Sequence, residues 1–169
     1  QAVAAGSHDD VTAQLIAIRQ IPARHEKEIF SRISQLPFPP YLGPGMSLDG
    51  YLIEQEIHSS HTSQIFRVRD QHSAELLMMK TPSLELKDNR AYVERFYREE
   101  WAGKHIQSPW VVKVIEPLRK RSFLYYLMEP LSGITLREWI RQNPQPEPAP
   151  VVELIQKVIA GILVFHRLD

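Results

Sequence analysis

Three short runs near the middle of the chain constrain its fold more than anything else. Tyr51–Ile57 and Gln64–Asp70 read as β-strands around a polar turn, together "EIHSSHTSQIFRVRD" across the join. Glu75–Lys80, ending in "LLMMK", reads as a third strand. The joins are too short for a crossover helix, so consecutive strands must pair antiparallel. From Asn89 to His105, Val93, Phe96, Tyr97 and Trp101 recur at three and four, which predicts a helix with one apolar face. "WVVKVIEP" and "FLYYLMEP" predict two further strands around the basic turn "LRKRS". The plan is α+β: a five-stranded antiparallel sheet with one helix packed on a face.

The flanks are different in character. Upstream, Val11–Ile18 reads as a strand, and "HEKEIFSRISQL" places Ile29, Phe30, Ile33 and Leu36 at helical spacing. Pro37–Gly50 then holds four prolines and three glycines, so it reads as a linker and a domain boundary. Downstream, Thr135 with Glu138 forms a capping box that opens a helix. "NPQPEPAP" is a proline loop, and Val151–Phe165 predicts an apolar core helix.

Composition excludes several classes. The chain has 169 residues with 20 basic and 20 acidic, so no global charge argues for nucleic acid or an anionic membrane. It has no cysteine, hence no disulfide framework and no thiolate metal site. No apolar run approaches the ~20 residues that span a bilayer. It begins at Gln1 without a signal-peptide pattern and ends on an apolar helix without a capping signal, so it reads as an excised fragment, expected in the cytoplasm.

From Tyr51 to Asp169 the order of these features resembles the first half of a serine/threonine protein kinase domain. "LLMMK" resembles the V-A-I-K strand that ends in the phosphate-binding lysine, here Lys80. "RFYREEW" resembles the αC helix with its ion-pairing glutamate at Glu99, although Glu100 is a rival one residue round the helix. "SPWVVKV" resembles the turn and fourth strand, and "YYLMEPLSGITL" the fifth strand and hinge. Singly, each is an ordinary surface charge or core methionine; their joint order carries the likeness.

The resemblance implies an ATP site. A polyphosphate needs a fixed cation, Lys80, and that cation needs a carboxylate to hold it, Glu99. Met128 becomes the gatekeeper, the Glu129 carbonyl and Leu131 N–H the groups that read adenine, and Ile57, Ile65 and Met78 the apolar ceiling. The three glycine positions of the kinase loop fall on His58, Ser60 and Ser63. Serine still offers N–H and O–H to a phosphate, but a side chain takes up room and restricts the backbone. Both a working loop and one that covers ATP poorly remain open.

"GSHDDVTAQLIAI" resembles a second ending, that of metal-dependent phosphatases of the PPM type, with Asp9 matching a ligand of catalytic Mg²⁺ or Mn²⁺. An ordinary turn before a strand is the plainer reading of the same residues. The divisions implied are residues 1–20 as the last phosphatase strand, 21–50 as helix and linker, 51–131 as kinase N-lobe and hinge, and 132–169 as the start of the C-lobe. His166-Arg167-Leu168-Asp169 is not the H-R-D loop, because it has a residue too many and falls at the end of the helix before it. The catalytic base and the Mg²⁺-binding residues would lie downstream, so these residues alone would transfer no phosphoryl group. The expected parent is a bacterial Ser/Thr kinase using ATP and Mg²⁺ on protein substrates, fused to a phosphatase, with any membrane anchor beyond the last residue. The alternative is a pseudokinase that regulates that phosphatase; a plain α+β interaction domain is the third option.

Overall fold

The computed structural model describes residues 36–166. Its strands are β1 Ser47–Leu48, β2 Tyr51–Ser59, β3 Ser63–Asp70, β4 Leu76–Pro82, β5 Val114–Ile115 and β6 Tyr126–Met128. Helix α1 spans Arg90–His105, α2 Leu136–Gln142 and α3 Pro148–Phe165, and a single 3₁₀ turn, Leu84–Leu86, leads from β4 toward α1. The strands form one antiparallel sheet in the order β1–β2–β3–β4–β6–β5. The predicted strand and helix before residue 36 lie outside the described residues.

The α+β plan is therefore present, with six strands where five were expected. The extra one is β1. Asp49 and Gly50 both have positive φ, 49° and 82°, and Leu48 pairs with Tyr51 across them. Two left-handed residues match the right-handed twist of a tight hairpin, and Asp-Gly favours that conformation. Counting prolines and glycines hid this signal and made the whole of Pro37–Gly50 look like a linker. The stretch is instead built into the lobe: Ser47 and Leu48 pair into the sheet, Leu42 and Leu48 are 2% and 4% exposed, and Pro37 accepts a hydrogen bond from Leu124 N–H at 2.8 Å.

Strand alternation sorts the core into two layers. Tyr51, Ile53, Phe66, Val68, Leu77, Met79 and Leu127 form one, covered by Leu42 and Leu48. Met78, Tyr126 and Met128 point to the opposite face, where Phe96 and Tyr97 of α1 pack on them. α1 starts where Asn89 Oδ1 accepts from Tyr92 N–H at 3.0 Å. Near its end Gly103 lies against Val114, where an added Cβ would fall 2.2 Å from a methyl carbon. β5 and β6 are much shorter than the apolar runs that predicted them. Pro109, Pro117 and Pro130 flank those runs and cannot donate to a ladder.

A largely buried ion pair closes the end of β3, where Asp70 pairs with Tyr51. Asp70, 1% exposed, meets Arg119 of the β5–β6 loop at 2.8 and 3.2 Å. Arg119 also bonds Asp49 O at 3.1 Å and covers the Tyr51 ring at 4.6 Å. The Arg119 hydrogen bonds hold the Asp70 carboxyl at about 2, below its ordinary 3.8. A depressed carboxylate stabilises the fold above its unfolded pKa and loses that contribution as pH falls through the folded value.

The expectation of a core helix at Val151–Phe165 is not met among the described residues: α3 forms, but only Gly161 is buried in it, and Ile155, Ile159 and Ile162 are about half exposed because no described element covers that face. With 18 residues and mean hydropathy 1.7 it is, among the described residues, the one helix long and apolar enough to cross a membrane by length and composition. The same test admits core helices of water-soluble domains, and the Glu153–Lys157 ion pair at 2.6 Å places two charges mid-helix.

Two outcomes are expected. Asp70→Ala lowers stability at neutral pH by roughly 3 kcal/mol in urea unfolding, and the gap to the unchanged chain narrows between about pH 4 and pH 2; a gap independent of pH would refute the pair's role. Sedimentation velocity should show association that grows with concentration and disappears in Ile155→Glu/Ile159→Glu.

Candidate active site

The site is set by strand register. Lys80 is the fifth residue of β4, directly across from Tyr126 of β6 on one side and Ile65 of β3 on the other. Met78, two residues earlier, faces Met128 in the same ladder. Alternation thus places Lys80, Met78, Ile65, Tyr126 and Met128 on the sheet face that also packs against α1.

Lys80 Nζ donates to Glu99 Oε1 of α1. The lysine side chain is 16% exposed and that of Glu99 49%, so the pair sits at the rim of the lobe. Tyr126 Oη donates to the same Oε1 at 2.7 Å, and the Lys80 ammonium lies 5.8 Å from the Tyr126 ring. Burial, then the charge of Glu99, push the Tyr126 hydroxyl upward, so it remains a donor throughout the physiological range.

Consecutive residues on a helix diverge by ~100°, and this separates the two candidate acids. Glu100 turns inward, 2% exposed, with Lys104 Nζ at 2.9 Å and Arg121 Nη1 at 3.1 Å. Arg121 also bonds the Tyr125 carbonyl. Glu99 thus partners the strand lysine, and Glu100 ties α1 to the β5–β6 loop.

The predicted adenine-side residues fall into two groups. Met78 and Met128 are 4% and 7% exposed, and Ile65 packs partly buried against them. Ile57 is 47% exposed, at a register irregularity between Glu56 and His58, and Leu131 is 58% exposed beyond Pro130. Glu129 is fixed before the hinge: its N–H donates to Lys113 O at 3.0 Å, and its Oε1 accepts from Lys113 N–H at 2.9 Å.

At the β2–β3 turn, His58 belongs to β2 and is exposed, while Ser63 is buried at the start of β3. Ser60 closes the tip. Its Oγ accepts from Thr62 N–H at 3.3 Å and Ser63 N–H at 3.2 Å, and its own N–H donates to Ser63 O at 2.9 Å. Of the two readings left open for this loop, the geometry bears on the donors directly: the Ser60 hydroxyl is turned onto its own turn. Tyr92 of α1 then fastens the tip, since its Oη donates to Thr62 O and accepts from Ser83 N–H at 3.0 Å. Tyr126 and Tyr92 escaped the sequence reading. Tyr126 could have been found only from the β4–β6 register, and Tyr92 only from the path of the turn back onto α1.

Among the described residues no group of three or more His, Cys, Asp or Glu could hold a metal ion. Asp9, the predicted ligand, lies outside the described residues.

The unequal burial of the two acids has a measurable consequence. Glu100→Ala leaves the nearly buried Arg121 without its carboxylate, while Lys104 keeps Glu116 at 2.5 Å, and is expected to lower stability by roughly 3 kcal/mol. Glu99→Ala, on a half-exposed pair, should change it by under ~1 kcal/mol. Urea midpoints in the opposite order would reverse the assignment.

No protein-family model matches the chain. It is 27% identical over 118 residues to the serine/threonine-protein kinase PknL of Mycobacterium bovis, covering 69% of this chain and 29% of that protein. It is 24% identical over 119 residues to the probable serine/threonine-protein kinase PknB of Lactococcus lactis, covering 70% and 19%. The chain thus spans less than a third of the length of these curated relatives. Among solved structures, the kinase domain of PknI from Mycobacterium tuberculosis superposes with TM-score 0.62 at 17% identity, over 77% of this chain and 54% of that one. By sequence the chain is similar to bacterial serine/threonine protein kinases, and by fold it is kinase-like, an antiparallel-sheet N-lobe with the helices that follow it.

Proposed function

We propose that the chain is the nucleotide-binding part of a bacterial serine/threonine protein kinase that transfers the ATP γ-phosphate to Ser or Thr hydroxyls of proteins. The observation that carries this reading is the Lys80–Glu99 pair on the same sheet face as Met78, Ile65 and Met128. A cation held at the rim beside an apolar surface suits a ligand with a polyphosphate at one end and a flat base at the other. In this reading Lys80 orients the α- and β-phosphates, and Glu99 holds Lys80. Met78, Ile65 and Ile57 cover the base, Met128 limits the depth of its pocket, and Glu129 O and Leu131 N–H read its edge. Mg²⁺ would reach the site with the nucleotide.

The proposed division of the whole protein is a PPM-type phosphatase ending near residue 20, a connecting segment, and a kinase whose N-lobe and hinge run to residue 131, the boundary at residue 51 moving upstream to take in β1 and Leu42. Asp9 is the proposed Mg²⁺ or Mn²⁺ ligand of the phosphatase, and ATP as substrate accords with a cytoplasmic site. One observation favours a second reading, a pseudokinase that binds nucleotide weakly and regulates the phosphatase: the backbone donors of Thr62 and Ser63 are already taken by Ser60.

The full-length gene product separates the two. Under the kinase reading it autophosphorylates with Mg-ATP, its thermal midpoint rises with Mg-ATP, and Lys80→Met abolishes both. A midpoint shift without phosphotransfer supports the pseudokinase, and unchanged phosphotransfer in Lys80→Met refutes the role given to Lys80. Ser60→Gly should free the tip donors and tighten Mg-ATP binding several-fold.

A further inference from the structure

We propose that Tyr126 is a positioning residue for the phosphate-binding lysine: its hydroxyl fixes the Glu99 carboxylate, and that carboxylate fixes Lys80. The proposal rests on the reading of Lys80 as the ATP ligand.

An ion pair at the rim is weak by itself. Glu99 is 49% exposed, so water competes for its carboxylate, and two long side chains lose rotamer freedom in holding one geometry. Such a pair would open and close readily and leave the ammonium poorly aimed. Tyr126 removes that freedom. It is 2% exposed, its backbone is set by the β4–β6 ladder, and its ring packs on Phe96 with centroids 5.2 Å apart. Its hydroxyl is therefore a donor of fixed position. It meets Glu99 Oε1 at 2.7 Å, the same oxygen that accepts from Lys80.

The hydroxyl also sits at the edge of an otherwise apolar layer of Met78, Phe96, Val114 and Met128. Without a partner it would be destabilising there, and a phenylalanine would fill the space as well. The contact to Glu99 is the one the structure gives it. It joins β6 to α1 at the oxygen that Lys80 uses. A hydroxyl at residue 126 thus makes α1, β4 and β6 share one acceptor, and the lysine's aim follows the sheet rather than solvent.

The test removes the hydroxyl and keeps the ring. In Tyr126→Phe, the rate at which an amine-acylating reagent modifies Lys80 is followed by mass spectrometry, with exposed Lys113 as the internal standard. Acylation of Lys80 is expected to rise roughly three- to tenfold, the scale of one lost hydrogen bond, with the urea midpoint little changed. In the full-length protein the same variant should raise KM for Mg-ATP by a similar factor while kcat stays within about twofold. Tyr126→Leu serves as a second hydroxyl-free side chain if the ring substitution perturbs folding. An unchanged Lys80 acylation rate relative to Lys113 overturns the proposal. Failure of the kinase reading shows separately, as Mg-ATP binding that survives Lys80→Met, and the acylation comparison needs no nucleotide.

Discussion

The register of β4 against β6 is the constraint on which the site depends. It sets Lys80 across from Tyr126 and Met78 across from Met128. One step of slippage of β6 against β4 would send Tyr126 and Met128 to the layer occupied by Leu77, Met79 and Leu127 and part them from Lys80 and Met78. That slip is opposed from both faces, because every residue from Leu124 to Met128 is buried. Each alternative pairing would expose apolar surface. The site's geometry is therefore a by-product of a core filled on two sides.

α1 converts that sheet geometry into a three-dimensional site. Along one helix, Tyr92 reaches the β2–β3 turn, Glu99 reaches β4 and β6, and Glu100 reaches Arg121 of the β5–β6 loop. These contacts differ in kind. The Glu100 cluster is buried, so losing one partner leaves a charge stranded, whereas the Glu99 pair is open to water. Gly103 adds a close approach to Val114 that holds the helix against β5. A helix fixed by a buried pair can present a rim carboxylate at a constant place, which a surface pair alone would not secure.

Much of this was legible in the sequence for a simple physical reason. Long apolar runs at period two or near 3.6 reflect burial directly, so β2, β3, β4 and α1 announce themselves, whereas α3 follows the period without the burial that it signals elsewhere. Lys80 and Glu99 were legible through their order along the chain. The remainder depended on information that periodicity does not carry. β1 rests on a two-residue turn inside a proline- and glycine-rich stretch, where composition masked the Asp49–Gly50 signal. The choice between Glu99 and Glu100 needed the rotation of α1 about its axis, since both lie within one turn. Tyr126 needed the strand register, and the state of Ser60 needed the path of its own turn.

That turn bears most on the nucleotide site proposed for this lobe. Glycine in a phosphate-covering loop leaves backbone donors exposed and lets the backbone approach the ligand closely. Here Ser60 satisfies the donors of Thr62 and Ser63 internally, and Tyr92 ties Thr62 to the start of α1. Opening the tip toward a phosphate would exchange several existing hydrogen bonds for new ones, so its net gain would be smaller than for a loop with idle donors. Charge neutralisation would then fall more heavily on Lys80, the cation already held in place. A site built this way relies less on a wrapping loop and more on one well-aimed amine, which makes the fixing of that amine by Glu99 and Tyr126 the decisive feature of its electrostatics.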